Sequence, residues 1–155
     1  MGHTAVSDTG PILHLYELGV PQGIKVEDAC TTLQVLHELN THNIVPQVPG
    51  FKADTETTSF FALKHTLDLG EASCIALCLQ KQIPLLFTDD LDARSAAKAE
   101  GLQVHGTVGI LLKAYMKKIL TQKETLLALQ NLRTKSSLFI TQRLIDEAIA
   151  AVQSN

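Results

Sequence analysis

Apolar residues along this chain follow two rhythms, and the two alternate. HTAVSD at 3–8 and IPLLFTDD at 83–90 contain short, nearly continuous apolar runs. Such runs read as strands covered on both faces, where no polar alternation is needed. LQVHG at 102–106 predicts a third strand, IKVED around Val26 a weak one, and LFI at 138–140 a last one. Helical spacing fills the intervals. GPILHLYELG puts Ile12, Leu15 and Tyr16 on one face, with Pro11 suited to a first turn and Gly19 to the stop. A helix from Asp28 carries Leu33, Leu36 and Leu39 on its apolar side, and 43–58 is turn-rich and predicts a loop.

The region SFFALKHTLDLGEASCIALCLQKQ predicts a helix interrupted at Gly70, with Ala72, Ile75, Ala76 and Leu79 sharing a face after it. DARSAAKAEG predicts a helix stopped by Gly101, and TVGILLKAYMKK one with cations at its C-terminal end, where the helix dipole favours them. Thr121 and Glu124 have capping-box spacing, and Thr141 caps a final helix through Val152. Strands alternating with amphipathic helices predict an α/β layer around a mostly parallel sheet. In such sheets ligands bind beyond the carboxyl ends of the strands. Asp8 and the pair Asp89–Asp90 each follow a predicted strand, so two acidic clusters are predicted to open onto one edge.

Composition narrows the picture. A length of 155 residues with 45% hydrophobic and 19% charged side chains predicts one globular domain spanning 1–155. No apolar run approaches the ~20 residues of a membrane span, and no basic segment followed by an apolar one opens the chain. A soluble, cytoplasmic protein without membrane contact is expected. Three cysteines, an odd count, argue against a disulfide framework; Cys74 and Cys78, four apart, read as small core residues rather than zinc ligands. Few aromatics and no tryptophan argue against a ring-rich base-stacking surface.

Charge is unevenly placed. Residues 1–80 hold nine acidic and three basic side chains, and 81–155 hold seven acidic and ten basic. A cation site beside a polyanion track would suit that asymmetry, as would ordinary solvated helix faces. Carboxylates gathered in one cleft repel, and either protons or a cation must neutralise them. Hard divalent ions such as Mg²⁺ or Mn²⁺ prefer oxygen ligands and can activate water against phosphorus. On that reading Asp8 and Asp89 bind the ion, and the hydroxyls of Thr9 and Thr88 orient carboxylates or waters. Glu38 in VLHEL and Glu71 in DLGEAS are candidates to complete the site. Glu71 equally suits a helix N-terminus with no catalytic role, and Asp92 reads as a cap. Lys113, Lys117, Lys118, Lys123 and Arg94 are candidates to follow a phosphate backbone, and the histidines read as surface or packing residues.

At these residues the sequence resembles the PIN-domain nuclease family. The matching pieces, in order, are VSDTGPILHL, VLHEL, LDLGEASCIALC, LLFTDDLDARSAA and VHGTVGILLKA, together covering 5–152. The resemblance implies a three-layer α/β/α sandwich whose acidic cleft binds Mg²⁺ or Mn²⁺ and cleaves single-stranded or structured RNA. Carried over by position, Asp8 matches the family's first acid, Glu38 the second and Glu71 the third. Alignment on the strand end makes Asp89 the fourth, alignment on Thr88 makes it Asp90; both are kept, with Asp89 preferred. GTVGILLKA is similar to toxin-like members, which implies a homodimer restrained by an antitoxin protein. The alternative from another class is a catalytically silent PIN-like binding or regulatory module. A haloacid-type phosphatase is disfavoured because Gly10 stands where its second aspartate belongs, and a receiver domain because LFIT offers no lysine.

Overall fold

In the computed structural model, which describes residues 2–155, five strands form one all-parallel sheet in the order β3-β2-β1-β4-β5. At its centre lies β1 (Ala5–Ser7), every residue of which is buried. It pairs on one side with β2 (Ala29–Thr32), Val6 opposite Cys30, and on the other with β4 (Leu85–Phe87), Ser7 opposite Phe87. The edges are β3 (Gly50–Phe51) beside β2 and β5 (Gln103–His105) beside β4. The chain thus runs from the centre out to one edge, then returns to build the other. Such a reversal leaves a crevice where the outgoing connections diverge, between the carboxyl ends of β1 and β4.

Helices cover both faces. On one side α4 (Leu69–Lys81) contacts β1, β2 and β4, and is flanked by α3 (Thr58–Lys64) and α5 (Leu91–Ala99). On the other side α1 (Thr9–Glu17) and α6 (Thr107–Met116) pack on each other and on a 3₁₀ helix at Pro21–Val26. The outermost pair, α7 (Gln122–Lys135) and α8 (Gln142–Gln153), packs together and onto α6. The helix α2 (Leu33–Thr41) bridges α1 and α4 beyond β2. The core runs through all layers: Leu15, Ile75, Phe87, Ile110, Leu111 and Leu129 are each fully enclosed. Each such side chain contributes ~1.5–3 kcal/mol by leaving water. The three cysteines are buried and unpaired within this core.

Five local expectations change. The stretch around Val26 is the end of the 3₁₀ helix, which Pro21 opens, rather than a strand. The second strand lies just after it, in ACTT, where the sequence predicts the start of a helix. Two threonines hide a fully buried strand because each hydroxyl has a partner inside: Thr31 donates to the Ser7 carbonyl at 2.6 Å, and Thr32 shares a hydrogen bond with Ser73 at 2.9 Å. The helix follows at Leu33, with the Thr32 hydroxyl capping it. The turn-rich 43–58 segment carries the two-residue strand β3. The break expected at Gly70 falls earlier, at Asp68, which caps α4, and Gly70 lies inside the first turn. LFI at 138–140 finds no strand partner and serves as the connection from α7 to α8.

Candidate active site

Three of the helices that begin at the carboxyl edge of the sheet are capped by an aspartate. Asp8 caps α1, accepting from the Thr9 backbone N–H at 2.8 Å. Asp68 caps α4, accepting from the Glu71 N–H at 2.9 Å, and Asp90 caps α5, accepting from the Ala93 N–H at 2.8 Å. The N-terminal end of a helix is electropositive and holds free N–H groups. The capping and site readings of these acids are therefore one arrangement, because the three caps lie around one crevice.

Asp8 is 7% exposed and is tied to the neighbouring strand by its own backbone, its N–H donating to the Phe87 carbonyl at 2.8 Å. Its second carboxylate oxygen accepts from the Thr88 hydroxyl at 3.1 Å. Burial raises its pKa to about 6; the bonds from Thr9 and Thr88 oppose the shift, and the charges of Asp68 and Glu38 add to it. Glu71, in the first turn of α4, is held well above the ordinary carboxylate range, first by burial, then by a side-chain hydrogen bond with Asp68, then by the charges of Asp68, Asp90 and Asp8. Glu38 arrives from α2, accepts from the Thr9 hydroxyl, and lies against Gly70, where a β-carbon would collide with its carboxylate.

The structure thus gathers Asp8, Glu38, Glu71, Asp68 and Asp90, and among the described residues none of the five forms an ion pair with a basic side chain. Among the described residues no three such side chains stand ready as a metal cage. Instead Asp8 and Glu38 hold hydroxyls, and burial with nearby negative charge holds Glu71 above the ordinary carboxylate range. The donor set is all oxygen, which suits a hard divalent cation. The glycine at 70 leaves room for the Glu38 carboxylate at the first turn of α4.

Asp89 goes elsewhere. The strand-end alignment favours it as the fourth acid, but its carboxylate turns under the sheet edge, toward α1 and α6. His14 Nδ1 lies 2.7 Å from one oxygen, the Thr107 hydroxyl donates to that same oxygen at 2.5 Å, and the Thr107 N–H donates to the other at 2.7 Å. Burial alone would raise its pKa, but the bonds from His14 and Thr107 outweigh it and hold the group below the usual range. A side chain at position 106 would strike both this carboxylate and Arg94, which explains the glycine there. Its neighbour Asp90, exposed and one residue on, is the one whose charge reaches Glu71.

Sequence reasoning missed two parts of this arrangement. Asp68 was legible in the spacing of DLGE, an acid three residues before another at a helix start. His14 carried no such signal, because its partner lies 75 positions away. The basic residues also redistribute. Lys113 pairs with Glu27 and Lys117 donates to the Val26 carbonyl at 2.7 Å, both next to the amino end of β2. Since α6 begins at the carboxyl edge and runs back along the sheet, six residues carry Lys113 about 9 Å away from Thr107. Lys118 and Lys123 are exposed, and Arg94 stays close, donating to the Thr88 carbonyl at 3.2 Å.

A family model described as a PIN domain matches residues 4–154. No curated protein and no solved structure matches the chain.

Proposed function

The chain belongs to the PIN-domain family, and from that premise we propose that it is a metal-dependent endoribonuclease hydrolysing phosphodiester bonds of single-stranded RNA. The observation that supports this most is the convergence of Asp8, Glu38, Glu71 and Asp90 in one crevice without a basic side chain to neutralise them. Bound Mg²⁺ or Mn²⁺ would supply a lowered pKa for the attacking water and screening of the charge that builds on the phosphate. These four carboxylates are the residues that would hold it.

The chain's own groups do the rest. The Thr88 hydroxyl and Thr9 N–H fix the two oxygens of Asp8, and the Thr9 hydroxyl fixes Glu38. Asp68 takes part in the proton balance of Glu71. Asp89, held by His14 and Thr107, sets the turn that presents Asp90, and so acts as a positioning residue. The positive ends of α1, α4 and α5 lower the cost of gathering so much negative charge.

The wider reading is the toxin of a toxin–antitoxin pair: one PIN-like unit over 1–155, cytoplasmic, homodimeric and restrained by an antitoxin protein. The similarity of VHGTVGILLKA to toxin-like members supports it, and no helix among the described residues is long and apolar enough to cross a membrane.

The test is cleavage of end-labelled single-stranded RNA by the full chain in Mg²⁺, in Mn²⁺ and in EDTA, alongside Mn²⁺ binding by calorimetry. Metal-dependent cleavage lost in Asp8→Asn and Glu71→Gln is the expected result. Absence of both cleavage and Mn²⁺ binding would overturn it and leave a silent binding module.

A further inference from the structure

Beside the acidic crevice lies a second depression, of about 430 Å³, between α5, the start of α6 and the 138–140 connection. Thr88 joins the two. Its hydroxyl donates to Asp8 in the crevice, and its carbonyl accepts from Arg94, which lines the groove. Apolar side chains line it, among them Leu91, Val104, Ile140 and Phe139, the last 97% exposed. A fully exposed phenylalanine beside a groove is a large apolar surface that folding leaves uncovered.

Three features select the occupant. Arg94 has no carboxylate within ion-pair distance among the described residues, while the negative charge of Asp89 is already taken up by His14 and Thr107. His105, which also lines the groove, stacks on Phe87 with ring centres 6.3 Å apart, and its Nδ1 is buried without a hydrogen-bond partner. Burial keeps this imidazole below its usual pKa. A hydrocarbon segment of a protein would cover Arg94 without a counter-charge. A nucleotide offers an anion, a flat face and polar edges together.

Resting on the nuclease reading, we infer that this groove holds one nucleotide of the RNA strand next to the bond to be cut, its phosphate on Arg94 and its base against Phe139 and His105. Substrate then follows the carboxyl edge of the sheet from the crevice across Thr88 to β5. The subsite adds affinity and a preference for unpaired RNA, because a base held in a duplex cannot lie against Phe139.

The measurement is fluorescence anisotropy of a labelled hexanucleotide RNA on the full chain in Ca²⁺, paired with cleavage kinetics in Mg²⁺. Phe139→Ala, at a position with nothing to unfold, is expected to weaken binding roughly tenfold and to raise KM with kcat kept. Arg94→Gln retains a donor for the Thr88 carbonyl and is expected to lower the salt dependence of binding by about one ion. Met116→Ala, at an exposed site far along α6, leaves both unchanged. RNA affinity within twofold of wild type in Phe139→Ala overturns the inference. So does a change in the sedimentation of Phe139→Ala without a change in RNA affinity, which would make the groove a contact between copies. RNA binding that depends on Phe139 in a chain that cuts nothing would sink the nuclease reading and keep the groove as an RNA site. Cleavage with KM unmoved would sink the groove alone.

Discussion

The carboxylate of Glu38 rests against the α-carbon of Gly70, one residue before Glu71. This contact joins α2 to the first turn of α4. It also makes Gly70 a probe of the site that leaves the core alone.

Gly70→Ala puts a methyl group where the Glu38 carboxylate lies. Glu38 is flexible at its tip, so the side chain moves and the fold stays. Alanine gains up to ~1 kcal/mol over glycine in a helix. The expected variant melts at the same temperature or higher, yet binds Mn²⁺ more weakly and cleaves more slowly. Calorimetry and thermal melting on one preparation separate the two effects.

Asp8→Asn isolates a buried charge. Folding raises the Asp8 pKa from 3.8 to about 6, so the native state binds more protons than the unfolded one between those values. Stability from this group therefore falls as pH rises through that window, and the full penalty stands above it. At pH 8 the substitution is expected to stabilise by on the order of 2 kcal/mol, raising the melting temperature by roughly 5 °C while abolishing cleavage. Near pH 3.5 the two proteins should melt together. A lower melting temperature for the variant at pH 8 would contradict this account of the site.

Asp89→Asn and Asp90→Asn should separate cleanly. Asparagine caps a helix as well as aspartate does, so Asp90→Asn keeps its stability and loses Mn²⁺ affinity, by roughly tenfold or more. Asp89→Asn gives up charge-assisted bonds with His14 and the Thr107 N–H. It is expected to lose ~1.5–3 kcal/mol in urea denaturation. Equal loss of metal affinity in both would make Asp89 a direct ligand.

Lys113→Met tests which cations meet RNA. Lys113 is engaged with Glu27, and removing it leaves that carboxylate, only 18% exposed, without its partner. A stability loss of about 1 kcal/mol and unchanged RNA affinity are expected. A drop in affinity equal to that of Arg94→Gln would return Lys113 to the phosphate track.

The sequence carried the sheet because its central strands are apolar over several residues, and AVS and LLF leave no other reading. ACTT was invisible for the opposite reason: its threonines are satisfied by partners in β1 and α4 that no local pattern announces. The acids before helices were legible as a group because strand ends in a parallel sheet share one edge. Which member of Asp89–Asp90 turns toward Glu71 was not, since His14 and Thr107 decide it from α1 and α6. Lys113 and Lys117 lie at the amino end of β2 for a geometric reason. A helix that starts at one edge of a sheet ends near the other, and charge counts along a sequence carry no depth.

The clasp on Asp89 has a consequence for the chain as it is made. Thr107 leaves the ribosome 18 residues after Asp89, and α7 and α8, which brace α6 from behind, come later still. A nascent chain carrying every crevice acid still lacks what turns the β4–α5 corner. On the nuclease reading, competence to cut waits for α6, after the crevice acids are already in the chain.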